Sequence, residues 1–221
     1  MNNYKKNLKL LTENHVYSKD MEHDACGVGV IASTEGKKSR KIVEYGIEAL
    51  KAVWHRGAVD ADGKTGDGAG IHVEIPKDFF IEKIEVTGHD YDNSEICVGM
   101  IFLPRNDYSS QESCKTIVES ELTKNNFSIY GWRQVPVNPK ILGEKAFQTM
   151  PEIIQVLFKP NDPNLIDKNL ERKIYETRKK IENKAFELSL SNFYICSISS
   201  KSIIYKGLYL AEAISDFYLD L

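Results

Sequence analysis

Long apolar runs and an excess of charge of one sign are both missing from this 221-residue sequence. The longest nearly apolar stretch, residues 96–103, is far too short to cross a lipid bilayer. The 29 Lys and Arg residues nearly balance the 32 Asp and Glu residues, so nucleic acid and an anionic membrane are not favoured as partners. With 42% hydrophobic and 28% charged residues, the composition excludes a fibre and a disordered tail. It predicts a globular chain, long enough for one large domain or two small ones.

Cysteine is scarce, and its spacing excludes two common uses of the residue. No C-x-x-C pair occurs, so neither a zinc site nor a disulfide framework is predicted. The amino terminus stays polar through Glu22 and lacks the apolar core of a secretory signal. Both features favour a reducing compartment, and we predict a cytoplasmic protein with no metal ligands in this chain. The cysteines are Cys26, Cys97, Cys114 and Cys196.

Apolar periodicity predicts a mixed α+β fold. One helix is expected from the cap residue Ser39 to Trp54. A second follows the capping box of Ser109 and Glu112, and a third spans residues 164–189. The inner face of this third helix is expected to carry Leu165, Leu170, Ile174, Ile181 and Phe186. Strands are expected at residues 28–32, 71–75, 96–103, 127–137 and 153–159, with a hairpin at 193–199 and 202–205.

A segment dense in glycine, residues 57–70, suggests two kinds of ligand site that its details exclude; we call it the glycine loop. It resembles a phosphate-binding loop, but one residue too many separates the glycines, and Asp60 and Asp62 carry the wrong charge. A calcium-binding loop is excluded because Thr65 stands where the turn glycine is required and Ile71 where a bidentate glutamate is required.

Cys26 follows a polar extension and begins an apolar segment. If the chain were cut after Ala25, Cys26 would carry a free α-amine beside its thiol. An α-amine titrates near ~8, so it accepts the thiol proton near neutral pH, and one residue then supplies both nucleophile and base. Gly27 and Gly29 leave room for a substrate to approach the backbone. The alternative is an ordinary buried thiol, which composition alone favours.

Three segments taken together identify a family. They are DACGVG at residues 24–29, WHRGA at 54–58 and TGDGAGI at 65–71, followed by GWRQVPV at 131–137, FYICS at 193–197 and IYKG at 204–207. In this order they resemble the amino-terminal glutaminase domain of glutamate synthases, which are class II glutamine amidotransferases of the N-terminal-nucleophile hydrolase fold. The similarity covers residues 24–221. The Cys-Gly and His-Arg-Gly pair is shared by other class II amidotransferases, whereas the long glycine loop favours the synthases.

The resemblance implies a role for each matching residue. Cys26 would be the nucleophile that attacks the side-chain amide of L-glutamine and forms a glutamyl thioester. Residues 1–25 would be a propeptide, removed between Ala25 and Cys26, and residues 26–221 the amino-terminal part of the amidotransferase domain. Arg56 and Gly27 would bind the substrate. The alternative for Arg56 is a surface or core ion pair.

For the other residues of these motifs, structural roles are expected. His55 is expected to be structural because the α-amine of Cys26 already supplies the base. Asp67 is expected to cap a turn, although a contact with the substrate amine is the alternative. For the glycines of residues 66–70, a close-packed wall of the site and a simple tight turn both remain open. The other three cysteines are expected in the core.

The resemblance also implies a fold and a shortfall. The fold would be an αββα sandwich, incomplete at its carboxyl terminus, because the family places its oxyanion-hole Asn-Gly and a His-Ser-Arg-Phe-Ser-Thr segment beyond the region that matches this chain. Loss of an oxyanion donor typically costs ~10²–10³ in rate. The 221-residue chain alone is therefore expected to release ammonia from glutamine at a negligible rate.

The implied partners lie mostly outside this sequence. They are L-glutamine, the remainder of a glutamate synthase large subunit and its small subunit. FMN and an iron–sulfur cluster would belong to the full-length enzyme, with no cofactor in this chain. Two alternatives remain: the glutaminase domain of another glutamine-dependent amidotransferase, and a catalytically silent binding module that keeps the fold.

Overall fold

A computed structural model describes residues 2–14, 26–54 and 57–221 of the chain. Its helices are α1 (Asn2–Asn14), α2 (Arg40–Ala52), α3 (Lys77–Val86), α4 (Tyr108–Lys124), α5 (Glu144–Gln148), α6 (Asp167–Glu187) and α7 (Ile214–Phe217). Its strands are β1 (Ala69–Glu74), β2 (Cys97–Leu103), β3 (Phe127–Gln134), β4 (Glu152–Pro160), β5 (Tyr194–Ser199) and β6 (Ser202–Gly207). Short 3₁₀ turns lie at Pro139–Ile141 and Ala211–Ala213.

The strands form two antiparallel sheets. Four of them pair in the order β3-β4-β2-β5, while β1 pairs with β6, so that Ile71 lies opposite Tyr205. Antiparallel sheets combined with helices confirm the predicted α+β class. The expected strands at 71–75, 96–103, 127–137 and 153–159 are all present, with ends shifted by one to three residues.

Strand β2 lies inside the molecule with both faces covered. Val98 and Met100 belong to one buried cluster, which also includes Ile203 and Tyr205 of β6. The other buried cluster contains Ile101 of β2 and the inner faces of α4 and α6. Burial on both faces explains why this strand is continuously apolar instead of alternating with polar residues.

Helices α4 and α6 cover the outer face of the four-stranded sheet. The predicted face of α4 is confirmed, since Cys114, Ile117, Val118 and Leu122 are all buried. In α6 the prediction holds for Leu170, Ile174 and Ile181, but Phe186 is 86% exposed. Position 186 is five residues beyond 181 and therefore about 140° around the helix, whereas Ala185 at four residues returns to the buried face.

The predicted strand at residues 28–32 is wrong. Residues 26–33 have no regular secondary structure, and Val28 and Val30 are 89% and 86% exposed. A short apolar run gives a strand only where a neighbouring strand accepts its backbone hydrogen bonds. None of the strand pairs in the described residues includes this segment.

The predicted hairpin at 193–199 and 202–205 is also wrong in its pairing. Both strands exist, but β5 pairs with β2 and β6 pairs with β1, so the turn between them joins the two sheets. Glu171 of α6 holds this turn by accepting from the backbone N–H of Ser200 at 2.7 Å. Local alternation fixes that a strand forms but not which strand it pairs with.

The caps of helices α2 and α4 were both predicted from the sequence, and one of the two predictions is confirmed. Ser39 does cap α2, accepting from the backbone N–H of Lys41 at 3.2 Å. Helix α4 begins earlier than expected, because Asp107 and not Ser109 is its cap and accepts from the Ser110 N–H at 3.0 Å.

Helix α3 was not predicted, although the fully buried Phe80 and Ile84 have the four-residue spacing of a helix face.

Of the helices that the structure describes, none combines the length and the apolar character that crossing a bilayer demands.

The start of the predicted amino-terminal extension is helical, since α1 spans residues 2–14. Leu10 and Leu11 of this helix are exposed.

Candidate functional site

The glycine loop folds into a small antiparallel ladder. Val59 and Gly66 form an isolated bridge, and the Asp60 N–H donates to the Thr65 carbonyl at 2.9 Å. Gly63 makes the turn with φ of 69°, in the left-handed region that favours glycine. The loop therefore has a base near Gly57 and a tip at residues 60–65.

Asp62 is the acceptor that organises this tip. Its Oδ1 accepts from the backbone N–H groups of Lys64 at 2.9 Å and Thr65 at 2.7 Å. Its Oδ2 accepts from the Thr65 hydroxyl at 2.6 Å. These donors hold the pKa of Asp62 well below its usual range, so the side chain is a carboxylate whose oxygens are already engaged. This arrangement agrees with the exclusion of a phosphate or calcium loop.

Asp60 joins the same tip to helix α5. Its carboxylate accepts from the Lys145 ammonium at 2.6 Å and from the Ala61 N–H at 2.6 Å. The Lys145 contact is the larger cause of the lowered pKa of Asp60. Because both side chains reach solvent, this pair is screened and contributes little to stability.

The second half of the loop lies directly against β6 and the chain that follows it. A Cβ atom added at Gly66 would lie 2.6 Å from the Tyr209 carbonyl oxygen. One added at Gly70 would lie 2.8 Å from the Cβ of Lys206. Gly66 and Gly70 are therefore closely packed and do not merely form a tight turn. Whether they also form a wall of a binding site stays a prediction.

Cys26 and Gly27 lie on an exposed segment. The thiol of Cys26 is free and exposed, so the alternative of a buried thiol is wrong. A Cβ at Gly29 would have no heavy atom within 4 Å, so this segment has open space beside its backbone. Among the described residues, no hydrogen bond joins Cys26 or Gly27 to the glycine loop.

The remaining predicted site residues divide into two groups. Ala25, His55 and Arg56 lie outside the described residues. Asp67 is exposed, and its Oδ1 lies 3.4 Å from the position of a Cβ added at Gly57, while its backbone N–H donates to the Ala58 carbonyl at 3.3 Å. The structure thus places Asp67 at the base of the glycine loop.

The other three cysteines are in the core, as predicted. Cys97 and Cys114 belong to the cluster under α4 and α6, and Cys196 to the cluster beneath β6. Burial raises the pKa of the Cys114 and Cys196 thiols to about 11, which makes them poor nucleophiles near neutral pH. In the part of the chain that the structure describes, no three His, Cys, Asp or Glu side chains are grouped to hold a metal ion.

A polar group between the sheets was missed by the sequence analysis. Arg133 pairs with Asp220 at 2.6 Å and donates to the fully buried Gln155 at 2.7 Å. Both charged side chains are largely buried, with 14% and 7% exposure. The sequence feature that could have revealed this group is Arg133 itself, because it is the charged residue in a half-buried strand of otherwise neutral residues.

An open cavity of about 1050 Å³ lies between the end of β2, helix α5 and the chain that follows β6. Its walls include Phe102 at the end of β2, Phe147 of α5 and Tyr209, whose backbone packs on Gly66. Most of the lining is apolar. Tyr209 also carries a buried hydroxyl that has no hydrogen-bond partner among the described residues.

Comparison with known proteins identifies the family. A family model of class II glutamine amidotransferases matches residues 26–221. The chain is 51% identical over 218 residues to the glutamate synthase [NADPH] large chain of Azospirillum brasilense, covering 99% of this chain and 14% of that protein. It is 41% identical over 202 residues to ferredoxin-dependent glutamate synthase 1 of Arabidopsis thaliana, covering 90% of this chain and 12% of that protein. Although it spans only about one-seventh of the length of such relatives, the chain belongs to the class II glutamine amidotransferases.

Proposed function

We propose that residues 26–221 are the amino-terminal part of the glutaminase domain of a glutamate synthase and that Cys26 is its nucleophile. The observation that carries the proposal is the family match, which starts at Cys26 and extends through residue 221. The similarity to glutamate synthases from a bacterium and from plants favours this function over that of another amidotransferase. The exposed thiol of Cys26 supports it further, since a nucleophile must be reachable by its substrate.

The chemistry follows from having a thiol and an amine on one residue. Removal of residues 1–25 would free the α-amine of Cys26, which takes the thiol proton as Sγ attacks the side-chain carbonyl carbon of L-glutamine. The C–N bond of the tetrahedral intermediate then breaks, and the amide nitrogen leaves as ammonia with the proton returned by the amine. Water hydrolyses the resulting glutamyl thioester to glutamate and restores the thiol.

Arg56 and Gly27 would hold the substrate in this scheme. A guanidinium presents paired N–H donors that match a carboxylate, such as the one on the α-carbon of glutamine. Gly27 leaves the backbone beside Cys26 accessible. The open space around Gly29 supports this second role.

The packing supports the αββα arrangement that the family implies. Helices α4 and α6 lie on the four-stranded sheet, and α2 contacts β1 of the two-stranded sheet. One buried cluster draws side chains from both sheets, as expected where two sheets face each other.

The ammonia would be used elsewhere in the complete enzyme. We propose its transfer to 2-oxoglutarate in a synthase domain that contains FMN and an iron–sulfur cluster. The residues described for this chain do not fit as cluster ligands, because their three buried cysteines are divided between two separate packing clusters. We therefore assign these cofactors to other parts of the large subunit.

The amino-terminal residue of the mature natural protein tests the proposal. Its mass is expected to show that the chain starts at Cys26, and Cys26→Ser is expected to abolish the release of ammonia from glutamine. Cys114→Ala is the control, since it removes a thiol from the core and should leave this reaction intact. An intact Met1, or full activity in Cys26→Ser, would overturn the proposed function.

A further inference from the structure

The tip of the glycine loop rests on the start of helix α5, far away in the sequence. From this contact we propose that Asp62 is a positioning residue that fixes the glycine loop for glutamine binding. The proposal rests on the proposed function, because the loop follows Arg56 directly in the sequence.

Asp62 forms its hydrogen bonds within the tip and faces the start of α5. Within the tip it accepts from Lys64 and Thr65, which gives the turn its shape. Across the contact, the backbone N–H of Glu144, the first residue of α5, is among the groups that lower the pKa of Asp62. One carboxylate therefore shapes the turn and faces the start of α5.

Gly143 gives independent evidence that this contact is tight. A Cβ atom there would lie 2.3 Å from Oδ2 of Asp62 and 2.3 Å from the hydroxyl oxygen of Thr65. It would also lie 2.6 Å from the backbone nitrogen of Thr65. The tip thus sits against the bare backbone of residue 143, in a place that only glycine leaves free.

The ladder transmits the position of the tip to the base of the loop. The tip is linked to the base by the Asp60–Thr65 bond and by the bond from the Asp67 N–H to the Ala58 carbonyl. The base is fixed in turn by Gly66, whose backbone packs on Tyr209. A loop held at both ends keeps one geometry, whereas a loop released at its tip can shift at its base.

Small shifts of a binding group have large kinetic effects, because misplacement by about 1 Å can cost about 10²-fold in rate. If the loop positions the glutamine-binding residues, releasing the tip should act mainly on substrate binding. We therefore expect Asp62→Ala to raise the KM for glutamine at least about tenfold, with a smaller change in kcat. Cleavage before Cys26 should be unchanged.

The experiment compares four variants of the natural protein by KM, kcat and amide hydrogen exchange. Asp62→Asn keeps the oxygen that accepts from Lys64 and Thr65 but replaces the second one by an amide group, so an intermediate KM is expected. Gly143→Ala pushes the tip away without altering Asp62 and should reproduce the effect of Asp62→Ala. Asp90→Asn makes the same charge change at an exposed residue outside the tip and should alter KM less than about twofold.

Hydrogen exchange separates positioning from a merely structural role. In Asp62→Ala the amides of Lys64 and Thr65 lose their acceptor and should exchange faster, and KM should rise with them. Faster exchange with a KM within about twofold of the wild-type value would overturn the proposal, as would unchanged exchange at both amides. Full ammonia release by Cys26→Ser would instead refute the proposed function, and the exchange result would still decide whether Asp62 holds the loop.

Discussion

Gly66 is the position where the close packing of the glycine loop can be tested most directly. Replacing it by alanine puts a methyl group 2.6 Å from the Tyr209 carbonyl oxygen, 2.7 Å from its carbon and 3.0 Å from the Leu210 nitrogen. All three atoms belong to the backbone, so no side chain can rotate away to make room. The loop or the segment after β6 must move.

The expected cost follows from that displacement. Inserting a methyl group into a packed region typically costs about 1–3 kcal/mol. Alanine also restricts the unfolded chain, which returns about 0.4–1 kcal/mol. The φ of Gly66 is outside the left-handed region, so no further backbone penalty arises. Gly66→Ala should therefore lower the free energy of unfolding by about 1–2 kcal/mol.

Thermal unfolding of the 221-residue chain measures this loss. For a chain of this size, each kcal/mol lowers Tm by about 2–4 °C, so a fall of about 2–8 °C is expected. Gly29→Ala is the matched control, because its new methyl group would meet no heavy atom within 4 Å and its Tm should stay near the wild-type value. Equal Tm values for Gly66→Ala and Gly29→Ala would refute the close packing of the loop.

Three further predictions concern the core and its edges. Asp220→Ala should destabilise the chain by about 3 kcal/mol in chemical unfolding, because it leaves the largely buried Arg133 without its ion pair; a change below about 1 kcal/mol would contradict this. Lys184 lowers the pKa of Glu121, so their contact stabilises the fold above the ordinary Glu pKa of about 4.3 and is lost as pH falls through the lower folded value. Lys184→Met should thus lower the free energy of unfolding at pH 7 and have progressively less effect below about pH 4, whereas an effect independent of pH would exclude the ion pair as its cause. Phe186→Ala should change the free energy of unfolding by less than about 0.5 kcal/mol because the ring is exposed, and a loss above about 2 kcal/mol would show that the ring is buried.

Local patterns predicted those elements whose burial is set by their own sequence. The apolar run of β2 and the helix face of α4 lie where the sequence places them, since each pattern carries its own period. The cap Ser39 was equally readable, because its hydrogen bond is made within two residues.

Features that depend on distant partners could not be predicted. Val28 and Val30 belong to an apolar run like that of a buried strand, but the strand order shows no partner for them among the described residues. The contact of Asp62 with the start of α5 joins segments far apart in the sequence, and no local pattern marks either side. Of the candidate site, the sequence therefore predicted the residue types and their chemistry, whereas the supports of the glycine loop needed the fold.

The family motifs themselves prove to be structural partners. The glycine loop and the IYKG segment are separate in the sequence, yet Ala69 pairs with Gly207 and Gly70 with Lys206 across β1 and β6. A Cβ at Gly207 would lie 2.4 Å from the ring of Tyr209, the same residue whose carbonyl excludes a side chain at Gly66. Gly66 of the one motif thus makes room for the backbone just after the other, and the strand pairing of β1 and β6 joins the two motifs directly. A change in either motif should therefore act first on this shared packing.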